Sequence, residues 1–178
     1  MIKARVAAGD KALGRALLDF VEPKIYATTL DFSAVETMSV TRERLNEKLS
    51  ARRRPRVSPQ GPEPGDVKLA RGGIRDIEFL AQYWVLLHVH DKPPLAMYPD
   101  TIRLLESVGS AGLVDHAVID GLVDAYRDYR QINHRRSLEG LGRVLPSGPS
   151  TGTAEWVGRV WEAVMLRDAE PPLPGAPV

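Results

Sequence analysis

The feature that most constrains this chain is the run Gly72-Gly73-Ile74-Arg75-Asp76-Ile77-Glu78-Phe79-Leu80, followed directly by Ala81-Gln82-Tyr83-Trp84. Adjacent glycines break the backbone, because neither imposes a conformation of its own. Beyond them Ile74, Ile77, Leu80, Ala81, Trp84 and Leu87 recur at helical spacing. That pattern predicts a helix from Ile74 to about His90 with those six side chains buried. Arg75, Glu78 and Gln82 then share one face of the helix, and Asp76 lies about 100° round from Arg75. The glycine pair is expected to leave amide donors exposed at the helix start, where an anion docks readily.

The rest of the chain also reads as helix after helix. Lys11 to Glu22 carries Leu13, Leu17, Leu18 and Val21 on one face, and Pro23 is expected to stop or kink it. Ser33-Ala34-Val35-Glu36 fits a capping box, and Val35, Met38, Leu45 and Leu49, with Arg42 at the edge, extend a stripe to about Ala51. Prolines 55, 59, 62 and 64 make Arg52 to Gly65 an exposed Pro-rich loop. Asp66-Val67-Lys68-Leu69 alternates and predicts a short extended segment. After the central helix, which Asp91-Lys92-Pro93-Pro94 ends, come a helix from Asp100 or Thr101 to Val108 and a long one from His116 to about Glu139. The long helix is capped by Asp115 and striped by Val118, Leu122, Ala125 or Tyr126, Tyr129 and Ile132. A last amphipathic helix, Ala154 to Arg167, rests on Val157, Val160, Trp161 and Val164. The end, 168–178, holds four prolines and reads as a disordered tail. The expected fold is therefore all-α, a bundle-like domain of five to six helices.

Composition narrows the chemistry. With 178 residues and no cysteine, the chain has room for a core and excludes disulfides, thiolate metal sites and a thiol nucleophile. No signal peptide or membrane-length apolar run is visible, so a soluble cytoplasmic protein with no membrane partner is expected. A net charge of +1 argues against a nucleic-acid binder. Arg52-Arg53-Arg54-Pro55-Arg56 reads as cations at a helix C-terminus rather than a phosphate site, since no aromatic interleaves it. His88 and His90 stand two apart and His116 and His134 have no partner at ligand spacing, so no metal site is expected. Ser107, Ser110 and Ser137 lack the context of a hydrolase nucleophile, and no P-loop is present.

One sharper possibility is a metal-binding D-x-E pair, Asp76 and Glu78, behind a Gly-Gly turn. Polymerase-β-type nucleotidyltransferases place such carboxylates on a strand, where alternate residues point the same way. On a helix, residues two apart diverge by about 200° and cannot clamp one Mg²⁺. The helical period of 74–87 argues against the pair.

The stretch Asp66 to Tyr83 closely resembles the D-x-K-x-x-x-G-G-I-x-D-I-E-F-x-x-Q-Y signature of bacterial bifunctional glutamine synthetase adenylyltransferase/adenylyl-removing enzymes. His90-Asp91-Lys92-Pro93-Pro94-Leu95 is similar to that family's H-x-K-P-x-L turn. Ala125-Tyr126-Arg127-Asp128-Tyr129-Arg130 with His134 resembles its A-Y-x-x-L-R-x-x-x-H segment. Upstream, Lys3 to Asp10 is similar to the A-R-x-x-x-G-D stretch that leaves its nucleotidyltransferase domain. The likeness covers roughly residues 3 to 166; the Pro-rich stretch Ser58–Gly65 and the end after Asp168 depart from it.

The resemblance implies the C-terminal, adenylylating half of such an enzyme. Residues 1–22 would be the helix leaving a nucleotidyltransferase domain, residues 23–167 a helical accessory domain, and the G-S-x-D-x-D catalytic strands would lie outside this chain. It further implies that Mg and ATP serve the complete enzyme while this chain alone binds neither and is inactive. The implied partners are the nucleotidyltransferase domain, glutamine synthetase and PII signalling protein. Lys68, Gly72, Gly73, Arg75, Asp76, Glu78 and Gln82 would face the nucleotide or the catalytic domain, with the glycine pair letting the backbone pass close to that domain. The rival reading is a stand-alone interaction module that binds glutamine synthetase or PII without catalysis.

Overall fold

A computed structural model describes residues 5–25, 40, 66–141 and 151–165. The expected helix over 33–51, the Arg52–Arg56 cluster, the Pro-rich loop to Gly65 and the tail at 168–178 lie outside the described residues. Among the described residues the elements are five α-helices and one short 3-10 helix: α1 Lys11–Ile25, α2 Ile74–His88, η1 Pro93–Ala96, α3 Thr101–Ser110, α4 His116–Leu138 and α5 Thr151–Met165. The fold is all-α, as the periodicity predicts.

Local chemistry starts these helices where the sequence says it should. Asp10 accepts the amides of Ala12 and Leu13 at the head of α1, Asp100 accepts that of Arg103 in α3, and Asp115 accepts that of Ala117 in α4. Each satisfies an amide that has no carbonyl partner one turn back, worth about 1 kcal/mol.

Helix α2 is the centre of the bundle and packs on α3, α4 and α5. One continuous core runs through Ile74, Ile77, Leu80, Trp84 and Val85 of α2, Leu104, Leu105 and Val108 of α3, and Val118, Ile119, Leu122 and Tyr129 of α4. From α5 it takes Trp156, Val157, Val160, Trp161 and Met165. Trp156 and Trp161 are the largest of the fully buried side chains, and Trp156 adds to the stripe predicted for α5.

Several expectations are corrected. Helix α2 ends at His88, two residues short of the predicted end, and Leu87 is 41% exposed while Val85 is fully buried in its place. Pro23 neither stops nor breaks α1; it sits inside the last turn, where a missing donor removes one bond near a fraying end. Of the residues read as one face of α1, Leu13 and Leu17 are exposed, as is Phe20. Asp66–Leu69 is a turn rather than an extended segment, because the Asp66 carboxylate accepts the amides of Lys68 and Leu69. The prolines 93 and 94 open a 3-10 turn rather than an unstructured end. Leu95 of that turn is buried, and Lys92 Nζ donates to the carbonyl of Ala111 at 3.1 Å, tying the turn to the C-terminal end of α3. The His90–Leu95 motif thus has a structural task.

Two measurements test this packing. Leu80→Ala should cost about 2–5 kcal/mol in urea unfolding, and Leu87→Ala about 1 kcal/mol or less. The Tyr129 hydroxyl is buried with no hydrogen-bond partner among the described residues, and burial pushes its pKa up to about 12. The unfolded tyrosine ionises first, near 10, so its contribution is intact below that pH and is lost as pH rises toward 12. Tyr129→Phe should therefore be nearly neutral at pH 7 and should flatten the fall in stability measured between pH 10 and 12.

Candidate functional site

The signature forms a knot between the 66–73 turn and the head of α2. Two carbonyls of the turn receive the first helical amides: Ile74 N donates to Val67 O and Arg75 N to Lys68 O, both at 3.1 Å. Gly73 N donates to Ala70 O at 3.0 Å, and Asp76 N to Gly73 O at 3.1 Å. The last member is Gly72, whose amide donates to Asp76 Oδ2 at 2.7 Å. Every amide from Gly72 to Asp76 is thus matched within the chain. The anion dock expected at this helix start is not there, because its donors are already spent on turn carbonyls and one carboxylate.

The glycines answer to close approach within the same chain. Gly72 has φ +73°, and a Cβ there would stand 1.9 Å from the Ala154 carbonyl oxygen of α5. A Cβ at Gly73 would stand 2.5 Å from Val67 O. Within this chain the backbone passes close to α5 at Gly72. Arg71 pairs with Glu162 across the same junction.

These contacts divide the seven candidate residues. Asp76 is fully buried, facing Gly72, and Arg75 is only 7% exposed, with Nη2 donating to Leu69 O at 3.1 Å. Gly72 and Gly73 are buried beside them. Lys68 is exposed, and its carbonyl bond to Arg75 puts it at the head of the α2 face that carries Glu78 and Gln82, both half-buried. Gln82 Nε2 donates to the Glu78 carbonyl at 3.0 Å, which stiffens that face.

The structure adds a residue that the spacing did not single out as a site. The hydroxyl of Tyr126, on α4, donates to Glu78 Oε1 at 3.2 Å. Burial raises the Tyr126 pKa, and the Glu78 carboxylate adds to the rise; the Thr101 hydroxyl and the Arg130 guanidinium pull the other way. Glu78, Tyr126, Thr101 and Arg130 therefore make one polar cluster where α2, α3 and α4 meet. Tyr126 and Arg130 lie in the segment that resembles A-Y-x-x-L-R, but only the tertiary fold places them against Glu78.

Asp76 and Glu78 do not converge. They lie on a helix, one turned inward onto Gly72 and the other toward Tyr126, so the paired-carboxylate metal reading fails on geometry. Among the described residues no group of three or more His, Asp or Glu side chains stands close enough to hold a metal ion. His88 is half-buried and its pKa is lowered by that burial, partly offset by Asp91, while His90 is exposed. No helix among the described residues is long and apolar enough to cross a membrane.

An all-α domain with this knot at the head of its central helix is a defined class: residues 40–138 match the family model described as GlnD PII-uridylyltransferase. The chain belongs to that family. It is also similar to two proteins named bifunctional glutamine synthetase adenylyltransferase/adenylyl-removing enzyme. The one from Thioalkalivibrio sulfidiphilus is 30% identical over 168 residues, covering 93% of this chain and 16% of the relative. The one from Caulobacter vibrioides is 37% identical over 138 residues, covering 77% of this chain and 13% of the relative. The chain thus spans less than a fifth of the length of either relative.

The knot predicts its own weak points. Asp76→Ala leaves the buried Gly72 amide without an acceptor and should cost about 1–3 kcal/mol. Gly72→Ala, which meets both a positive φ and the α5 carbonyl, should cost more. Tyr126→Phe should fall within about 1 kcal/mol of the parent, because its bond is half-exposed. Urea denaturation of the three variants checks the order.

Proposed function

We propose that this chain is the helical accessory part of a glutamine synthetase adenylyltransferase, inactive by itself. In the complete enzyme, AMP passes from Mg·ATP to a tyrosine of glutamine synthetase, under the control of PII signalling protein. The metal carboxylates and the nucleotide site belong to a nucleotidyltransferase domain on which this domain packs. The observation that carries the reading is the division of the signature. Its inward residues, Gly72, Gly73, Arg75 and Asp76, are buried in the knot, while Lys68 of the turn and Glu78 and Gln82 of α2 keep surface toward solvent. That surface, with Tyr126 and Arg130 beside it, is the one proposed to meet the catalytic domain. The likeness of most of the chain to two adenylyltransferases supports adenylyl rather than uridylyl transfer. The inward residues act through the knot, by holding α2 in register with α5.

Transfer of labelled AMP from Mg·ATP to glutamine synthetase tests this. The chain alone should give no transfer. Mixing it with the separately expressed nucleotidyltransferase domain of a full-length relative should restore it. Glu78→Ala should weaken the assembly about tenfold, the equivalent of one charge-assisted hydrogen bond, with the unfolding midpoint little changed. Transfer by the chain alone would overturn the accessory role. Binding of glutamine synthetase or PII with no recovery on mixing would establish a stand-alone interaction module instead.

A further inference from the structure

A glutamate on a helix surface ordinarily samples several rotamers, and ordering it costs conformational entropy. Glu78 is not left to its own helix. The Tyr126 hydroxyl of α4 donates to Glu78 Oε1 at 3.2 Å, from 48 residues further along the chain. Both side chains are half-buried, so water competes for this bond only in part.

The donor is itself held in place. Tyr126 packs against the core beside the buried Ala125 and Tyr129 of its own helix. A tyrosine has only two side-chain torsions, so packing its ring also places its hydroxyl. Thr101, at the head of α3 and 2% exposed, hydrogen-bonds the same phenol. Burial raises the Tyr126 pKa, which keeps the phenol protonated, and therefore a donor, throughout the neutral range. Thr101, Tyr126 and Glu78 thus form a relay from α3 through α4 to α2, and the relay ends on a carboxylate that keeps surface toward solvent.

Holding the three helices together is not what this relay adds. They already share a continuous apolar core through Ile77, Leu80, Leu104, Leu105 and Leu122. A half-exposed hydrogen bond contributes little beside that packing. What the core does not reach is the Glu78 carboxylate, and the relay does.

We propose that Tyr126 is a positioning residue, which holds the Glu78 carboxylate in one rotamer for the catalytic domain that this surface is proposed to meet. The inference deepens that reading and rests on it. A partner then meets a carboxylate already ordered, so the loss of side-chain freedom falls on folding rather than on association. The effect of Tyr126 on assembly runs through Glu78.

Two measurements test this. Three-bond carbon–proton couplings of Glu78 in the isolated chain should show one dominant rotamer. Tyr126→Phe, which keeps the ring and removes the donor, should average them. The second measurement is a double-mutant cycle on binding to the separately expressed nucleotidyltransferase domain of a full-length relative. Tyr126→Phe should weaken binding about threefold, Glu78→Ala about tenfold, and the double variant no more than Glu78→Ala alone. The urea midpoint of Tyr126→Phe should stay close to the parent's, which separates positioning from a loss of fold. Averaged couplings in the parent, unchanged binding in Tyr126→Phe, or the same threefold loss with and without Glu78 would overturn the positioning role and leave the reading of the surface standing. No binding by the parent, or full binding by Glu78→Ala, would overturn that reading and this inference with it.

Discussion

The hydrogen bond from the Gly72 amide to the Asp76 carboxylate is the contact on which the arrangement of the described helices depends. It forms under the backbone of Ala154, in a space that admits no Cβ. A carboxylate there would be costly to bury without a donor, and the amide would be costly to bury without an acceptor. Together they close the 66–73 turn onto the head of α2. Once that turn is closed, α5 can lie across it and deliver Trp156 and Trp161 to the core. Local backbone chemistry and bundle packing are therefore one event rather than two.

This coupling changes what the signature means. A cluster of glycines and mixed charge at a helix start suggests a binding site, since free amides and a positive helix end attract anions. Here the amides are matched by carbonyls of Val67, Lys68 and Ala70, and the acid is matched by Gly72. The part of the signature with chemistry to offer is smaller: Lys68, Glu78 and Gln82, joined by Tyr126 from α4. Residues buried in the scaffold and residues that reach its surface are interleaved between Lys68 and Gln82. Their spacing in the chain cannot separate them.

The His90–Leu95 turn shows the same economy in a different place. Lys92 closes the C-terminal end of α3 and Leu95 fills the core, so the motif's first role is to join α2 to α3. Holding that turn rigid also leaves a wall of proline and methionine facing α3. A structural junction thereby becomes a concave surface.

Much of the fold was legible in the sequence by itself. Apolar residues at helical spacing set the all-α class and located α2, α3, α4 and α5 to within a few residues, because a helix must bury one stripe wherever it packs. Asp100 and Asp115 announced two helix starts, because only a short acceptor side chain reaches those amides. The sequence also argued that Asp76 and Glu78 diverge, since helix geometry alone sets that angle. Tertiary structure decided the rest. Val85 rather than Leu87 is buried, because neighbouring helices determine which arc of α2 is covered. Gly72 is required by the Ala154 carbonyl, a contact 82 residues away in the chain that no local pattern records. Tyr126 meets Glu78 across 48 residues. Periodicity is a property of one helix and can be read along the chain; the matching of a donor on one helix to an acceptor on another exists only once both are packed.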